Sequence, residues 1–361
     1  MKKILKIAVA FNEPNPEFYK KQKSPQPAEV NFVPYFEVDE LTPLEEYEIL
    51  ARKLSEQGTE AYTLNIKDNI DLLMKDIEKN KPDVVFNFME IYKEVARFEM
   101  NLVGLLELLG VAYTGAPPMA LANCQSKILA KRMLKSIGIN TPDFLVYRQR
   151  KSRYVHHLQY PLIVKPAFED ASVGIENESI ARNHKQLKER IDYIFHYFQQ
   201  PVLVEEFIEG RELNVAIMGD LEPVALPISE IDFSEMPDHL HNIVSYQAKW
   251  DPQHEAYHKT IPICPAQLPK RIEKRAKEMA IAAFKLMECR DYARVDIRFS
   301  AKTNKLYVLE VNPNPDLTEG AGFMRSAETA GYSYGEALKK IVDFAWERKL
   351  KKNNSLNKQK N

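Results

Sequence analysis

Two neighbouring segments carry the densest set of chemically useful side chains: Tyr292-Ala-Arg-Val-Asp-Ile-Arg-Phe299 and Tyr307-Val-Leu-Glu-Val-Asn-Pro-Asn314. The spacing predicts two strands joined by a polar turn at 300–305. Alternation then puts Arg294, Asp296 and Arg298 on one face of the first strand, and Val295, Ile297 and Phe299 on the other. On the second, Glu310 and Asn312 share a face while Leu309 and Val311 point away. If the strands pair, Asp296, Glu310 and Asn312 converge with Arg294 beside them. Three hard oxygen donors suit Mg²⁺, which completes its octahedron with water and substrate phosphates. The competing expectation is a solvated hairpin with a polar outer face.

Two further constellations are weaker alone. Lys165 ends an apolar strand, Leu162-Ile-Val-Lys-Pro166, where a point charge suits a phosphate better than a solvated face. The loop after it, 167–174, could fold backbone N–H groups over that phosphate, though its one glycine also fits an ordinary connection. In Val204-Glu-Glu-Phe-Ile-Glu-Gly-Arg-Glu212, Glu205 and Glu212 flank a hinge that could accept from an exocyclic amine and from ribose hydroxyls.

The elements needed to position these groups are readable by periodicity. Residues 4–11 read as a buried strand and 12–40, rich in proline and aromatics, as a long loop. Helices are expected at 44–57, 67–80 and 95–109, with strands at 60–64 and 82–88 between them. That alternation predicts a parallel sheet. A helix over 126–137 leads to the strand 162–166, a helix over 183–199 and the strand 201–208. A strand at 212–218, an irregular stretch at 229–260 and an amphipathic helix at 269–287 precede the hairpin. A last helix covers 333–348. The divisions expected are 1–122, 123–209, 210–348 and a flexible basic tail, 349–361.

Length and composition fit an enzyme with a sizeable core: 361 residues, 45% hydrophobic and 28% charged. A formal net charge of −1 argues against nucleic acid or an anionic membrane as partner. Cys124, Cys264 and Cys289 are widely spaced, which favours a reducing compartment over a disulfide framework. The first eleven residues superficially suggest a signal peptide. Lys6 interrupts the short apolar run, so a first strand is the better reading. No stretch approaches the roughly 20 apolar residues of a membrane span. A cytoplasmic enzyme is expected.

Taken in order, these segments resemble the ATP-grasp superfamily, and within it the D-alanine–D-alanine ligase family. The resemblance covers roughly 83–346. It rests on Leu105-Leu-Glu-Leu-Leu-Gly-Val-Ala-Tyr-Thr-Gly115, Lys127 at a helix start, Thr141-Pro142, Lys165-Pro166 with Ser172-Val-Gly174, 204–212, Tyr246-Gln-Ala-Lys249, the hairpin and 325–338. It implies an α/β chain of ATP-grasp architecture, α+β in its ATP-binding part: a Rossmann-like parallel-sheet unit, a central lid unit and a mixed-sheet unit. It also implies ATP and two Mg²⁺ ions, a role Mn²⁺ could fill, and small amino-acid or peptide-like substrates. A homodimer is left open.

By the same resemblance, Lys127 and Lys165 contact ATP phosphates, Glu205 takes the adenine amino group, Ile208 offers its backbone to the ring and Glu212 binds ribose. Lys249 approaches the γ-phosphate. Asp296, Glu310 and Asn312 hold the metals, and Arg294 steadies developing charge. Ser172, with no His–Asp partners, is a phosphate or backbone contact rather than a nucleophile. The implied reaction is carboxylate phosphorylation followed by amine attack on the acyl phosphate.

Departures fall on the substrate. Phe11-Asn-Glu-Pro-Asn-Pro16 and 87–94 replace the family's glycine-rich stretches, Asp170 replaces a lid glycine, and Asp316 and Ala321 replace a glycine and a carboxylate-binding serine. An altered substrate site is therefore expected. The alternatives are a true D-alanine–D-alanine ligase, an ATP-grasp phosphotransferase and a non-catalytic nucleotide-binding module. His239, His241, His254 and His258 read as a solvated loop, and 193–198 as helix core.

Overall fold

A computed structural model of the chain describes residues 3–15 and 42–360. The first sheet runs β2–β1–β3–β4, with β1 at Lys6–Phe11, β2 at Glu60–Asn65, β3 at Val84–Phe88 and β4 at Ala112–Tyr113. All its pairings are parallel. The continuous apolar run of β1 fits that place, because both its faces are covered: Ile7, Ala8, Val9 and Ala10 are completely buried.

Helix α1 (Pro43–Glu56) starts at a capping box between Thr42 and Glu45. Helix α2 (Ile70–Asn80) is shorter than expected. Lys67 and Asp68 take positive φ, and the Asn69 side chain caps the helix instead. A 3₁₀ turn at Ala96–Phe98 precedes α3 (Glu99–Leu108). Helices α4 (Pro118–Gln125) and α5 (Lys127–Ser136) follow, α5 capped by Ser126. Most of the expected loop at 12–40 lies outside the described residues.

The central sheet is antiparallel, ordered β5–β8–β6–β7: β5 Phe144–Tyr147, β6 Leu162–Pro166, β7 Ile180–Ala181 and β8 Val202–Glu206. Helix α6 (His184–Tyr197) covers it through Leu187, Ile191 and Ile194, which share a core with Leu162, Val164, Val202 and Val204. Of the aromatic run, Tyr193, Phe195 and Phe198 pack on that core, while Tyr197 faces solvent.

The third sheet is antiparallel, ordered β12–β11–β9–β13–β14 with β10 beside β9. Its strands are β9 Arg211–Gly219, β10 Val224–Ala225, β11 Ser229–Asp232, β12 Ile261–Ile263, β13 Asp291–Ser300 and β14 Lys305–Asn312. The stretch at 229–260 is more regular than expected. It contains β11 and two short helices, α7 (Tyr246–Trp250), capped by Ser245, and α8 (Glu255–Lys259), capped by His254. His258 is buried, not solvated, with its Nε2 2.8 Å from the Pro252 carbonyl. Among the described residues, no group of three or more His, Cys, Asp or Glu side chains could hold a metal ion.

Helix α9 (Lys270–Leu286) covers one face of this sheet through Ile272, Ala276, Ala280 and Ala283. Helix α10 (Gly322–Thr329) and helix α11 (Tyr334–Lys360) close the chain. The last helix does not end near Arg348 but continues to Lys360. Its apolar stripe, Leu338, Ile341, Val342 and Ala345, packs against Ile7, Val9 and Phe86 of the first sheet. No helix among the described residues is long and apolar enough to cross a membrane.

Candidate active site

The hairpin pairs Arg294 with Asn312 and Asp296 with Glu310. Leu309 is then skipped, since the next pair is Ile297 with Val308, so a bulge follows the Asp296–Glu310 pair. The solvated-hairpin alternative fails, because Asp296 is 5% and Arg298 3% exposed. The Asp296 carboxylate is crowded with donors. Oδ1 accepts from Arg294 Nε at 2.8 Å and Asn214 Nδ2 at 2.7 Å. Oδ2 accepts from Arg294 Nη2 at 2.9 Å and Asn312 Nδ2 at 2.9 Å. Those four bonds fill the roughly four lone-pair positions of a carboxylate.

Glu310 lies 3.3 Å from Lys127 Nζ, which also reaches Asp170 of the lid at 3.0 Å. Burial works against ionisation of Glu310, but the charges of Lys127, Lys165 and Arg294 hold its carboxyl well below the usual carboxylate range. Burial likewise opposes the Lys127 charge, and Glu310 and Asp170 keep that lysine above its ordinary value.

Lys165 and Glu205, on β6 and β8, meet at 3.3 Å. The other Glu205 oxygen faces Lys131 at 3.0 Å. Lys131 escaped the sequence expectations, although it lies one helical turn beyond Lys127 on the same face of α5. It is 2% exposed and donates to Thr141 Oγ1 at 2.8 Å. Despite burial, the two lysines hold the Glu205 carboxyl below its ordinary value. Ile208 is half-buried in the hinge between β8 and β9. Glu212 is paired with Arg298 at 2.8 Å, and burial raises its pKa against that pull.

The lid and the 240–258 segment are joined. Ser172 Oγ donates to the Val244 carbonyl at 2.8 Å. Trp250 Nε1 donates to the Ala171 carbonyl at 2.9 Å. Ala171 and Ser172 both take positive φ, as does Gly174, where a Cβ would lie 2.8 Å from Phe198 and Pro166. Lys249 on α7 lies within electrostatic reach of Arg294, Glu310, Asp296 and Asp316. Burial, then the Arg294 charge, lowers its pKa.

In the loop after β14, Asp316 is exposed and accepts from the Thr318 amide at 2.8 Å. Ala321 precedes α10 without a side-chain cap, and its own N–H is engaged by the Thr318 carbonyl at 3.0 Å. Glu90 is exposed, and crowding by the surrounding fold, then the Asp316 charge, raises its pKa against the pull of Lys249. Tyr47 stacks on Phe11 at 4.2 Å and tilts against Phe88 at 5.3 Å. Glu99, 8% exposed, is pushed up to about 8 by burial and the Glu90 charge.

Two antiparallel sheets hinged around Glu205–Glu212, beside a parallel-sheet unit, define an ATP-grasp protein. The family model for the D-ala D-ala ligase C-terminus matches residues 133–343. The chain belongs to the D-alanine–D-alanine ligase family and is an ATP-dependent ligase forming carbon–nitrogen bonds. It is 32% identical to "Uncharacterized protein y4sG" of Sinorhizobium fredii over 73% of this chain and 75% of that one. It is 28% identical to a D-alanine–D-alanine ligase of Carboxydothermus hydrogenoformans over 83% of this chain and 92% of the relative. A crystal structure of the Bacillus anthracis D-alanine–D-alanine ligase complexed with ATP has the same fold, with a TM-score of 0.70. That match has 21% identity and covers 96% of this chain and 99% of that one.

Proposed function

We propose that this chain joins a carboxylate to an amine through an acyl phosphate, with an acceptor site altered from that of a D-alanine–D-alanine ligase. The single observation that carries this is the meeting of Lys127, from α5, with Glu310, from the hairpin that also holds Asp296, Asn312 and Arg294. Lys127 and Lys165 take the phosphates, Glu205 and the Ile208 backbone the adenine, Glu212 the ribose, and Lys249 the γ-phosphate.

The oxygen donors Asp296, Glu310 and Asn312 fit two Mg²⁺ ions, or Mn²⁺, provided Asp296 loses one of its four bonds. Arg294 is the partner to release, since its guanidinium can then face the charge that develops on the transferred group. Bound Mg²⁺ supplies charge neutralisation at the phosphates and a template for in-line transfer. Phosphoryl transfer to the substrate carboxylate yields ADP and an acyl phosphate. Attack by the amine at the carbonyl then forms the amide and expels phosphate. The lid, tied down through Ser172 and Trp250, keeps water from the acyl phosphate.

Asp316, Glu319 and Ala321 supply no side-chain donor for an acceptor carboxylate, and Ala321 N–H is already engaged. D-Alanine is accordingly a poor second substrate, and an amine-bearing or less anionic acceptor is favoured. Screening amino-acid and amine pairs for ADP release, with mass detection of the product, tests the reading. ADP release without an amine requirement would instead indicate a phosphotransferase. Robust turnover on D-alanine alone, with a millimolar-or-lower KM, would refute the altered acceptor.

A further inference from the structure

We propose that Glu99 is a positioning residue that fixes the phosphate lysine against the metal-ligand strand; the inference rests on the roles just proposed for Lys127 and Asn312. Glu99 opens α3 in the first unit and divides its two carboxylate oxygens between two other segments. Oε2 accepts from Gln125 Nε2 at 3.1 Å, and Oε1 accepts from Asn314 Nδ2 at 2.9 Å. Gln125 stands two residues before Lys127, and Asn314 two residues after Asn312. Each contact is therefore one short backbone step from a side chain of the phosphate site.

Neither amide is free to turn over. Gln125 Nε2 also donates to the Ala96 carbonyl at 3.1 Å, and Asn314 Oδ1 accepts from the Ala116 amide at 3.0 Å. Glycine at 115 makes the approach to Asn314 possible. Its φ is +88°, and a Cβ there would lie 2.5 Å from Asn314 Oδ1. The first strand of the hairpin is tied to the same segment at the same open end, because Asp291 Oδ2 accepts from the Gly115 amide at 2.9 Å. Adjacent amides, Gly115 and Ala116, thus hold both strands at the open end of the hairpin. Glu99 adds the link from there to the Lys127 segment. Phosphate-site geometry is sensitive to displacements of about 1 Å, so the Lys127–Glu310 separation of 3.3 Å depends on this bridge.

The test titrates Mg²⁺ at pH 9, where Glu99 is ionised and both its oxygens accept, against binding of a non-hydrolysable ATP analogue by calorimetry, with melting temperature recorded in parallel. Glu99→Gln keeps metal-free analogue affinity within about twofold but raises the Mg²⁺ concentration for half-maximal tightening about tenfold, the effect of one lost buried hydrogen bond. Asn314→Ala does the same, and the double variant is no worse than the poorer single, because both break one link. An unchanged Mg²⁺ midpoint in both singles overturns the proposal, whatever happens to melting temperature. Should Glu99→Gln fail to fold, Gln125→Ala, which removes the contact on the Lys127 side together with the Ala96 bond and leaves Asn314 on Glu99, carries the same expectation and the same refutation. A wild type whose analogue binding ignores Mg²⁺ overturns the metal reading as well. A wild type that responds, with variants unaltered, overturns this inference alone.

Discussion

Replacing Glu205 by Gln removes one carboxylate from between two lysines. At 3.0 Å from Lys131 and 3.3 Å from Lys165, each pair carries about 5 kcal/mol of direct attraction at an effective dielectric constant near 20. Desolvation cancels much of that gain, but it does not disappear when the carboxylate does. Lys131 would keep Thr141 and at most a neutral amide oxygen as partners while remaining almost wholly enclosed. Breaking a buried pair from one side costs about 3–5 kcal/mol, and that is the loss expected for Glu205→Gln. Urea unfolding followed by circular dichroism measures it. Adding Lys131→Met should recover at least half, since the stranded charge is then gone. A loss below about 1 kcal/mol, no more than an ordinary hydrogen bond, would refute the reasoning. So would a double variant as unstable as the sum of the singles.

Glu310→Gln or Asp296→Asn abolishes turnover, and Asp296→Asn also lowers the melting temperature, because an amide cannot accept from all four donors around that carboxylate; ADP release unchanged in both variants would remove the metal assignment. Lys165→Ala weakens binding of a non-hydrolysable ATP analogue by a few kcal/mol at most, the scale of a charge-assisted phosphate contact, and equal dissociation constants by calorimetry would place it outside the site. Glu99 gives a pH signature. Its folded-state pKa of about 8 lies above the ordinary value of 4.5, so the stability it lends is complete below 4.5 and declines as pH rises through 8. The neutral isostere Glu99→Gln should therefore show a shallower fall in melting temperature between pH 5 and 8.5; parallel curves would contradict the burial of that carboxyl.

The hairpin was legible because a polar–apolar alternation of period two survives across Arg294, Asp296 and Arg298. The bulge at Leu309 was not, since one unpaired residue changes register without altering composition. The capped helices were readable within a few residues, except where backbone conformation intervened, as at Lys67 and Asp68, or where a polar tail continued a helix, as beyond Arg348. Lys131 carried a signal in its four-residue offset from Lys127, yet its partner Glu205 lies on another sheet. Asn214 and Glu99 could not be found from spacing. Asn214 faces Asp296 only through the β9–β13 pairing, and the Glu99 bridge joins segments that become neighbours only once the third sheet docks on the first.

Helix α11 brings a late-made part of the chain onto the early-made sheet, with Leu338, Ile341 and Val342 in one core cluster with Ile7, Val9, Val84 and Phe86. During synthesis, β1–β4 can pair as soon as they emerge, but one flank of that sheet has only Leu50, Ala51 and Leu54 of α1 to cover it until residues 334–345 leave the ribosome. The newborn chain must therefore carry a greasy, unpaired surface through most of translation. A ribosome stalled before residue 334 should display a product that needs a holding chaperone and is readily cleaved by protease, even with all four strands in place.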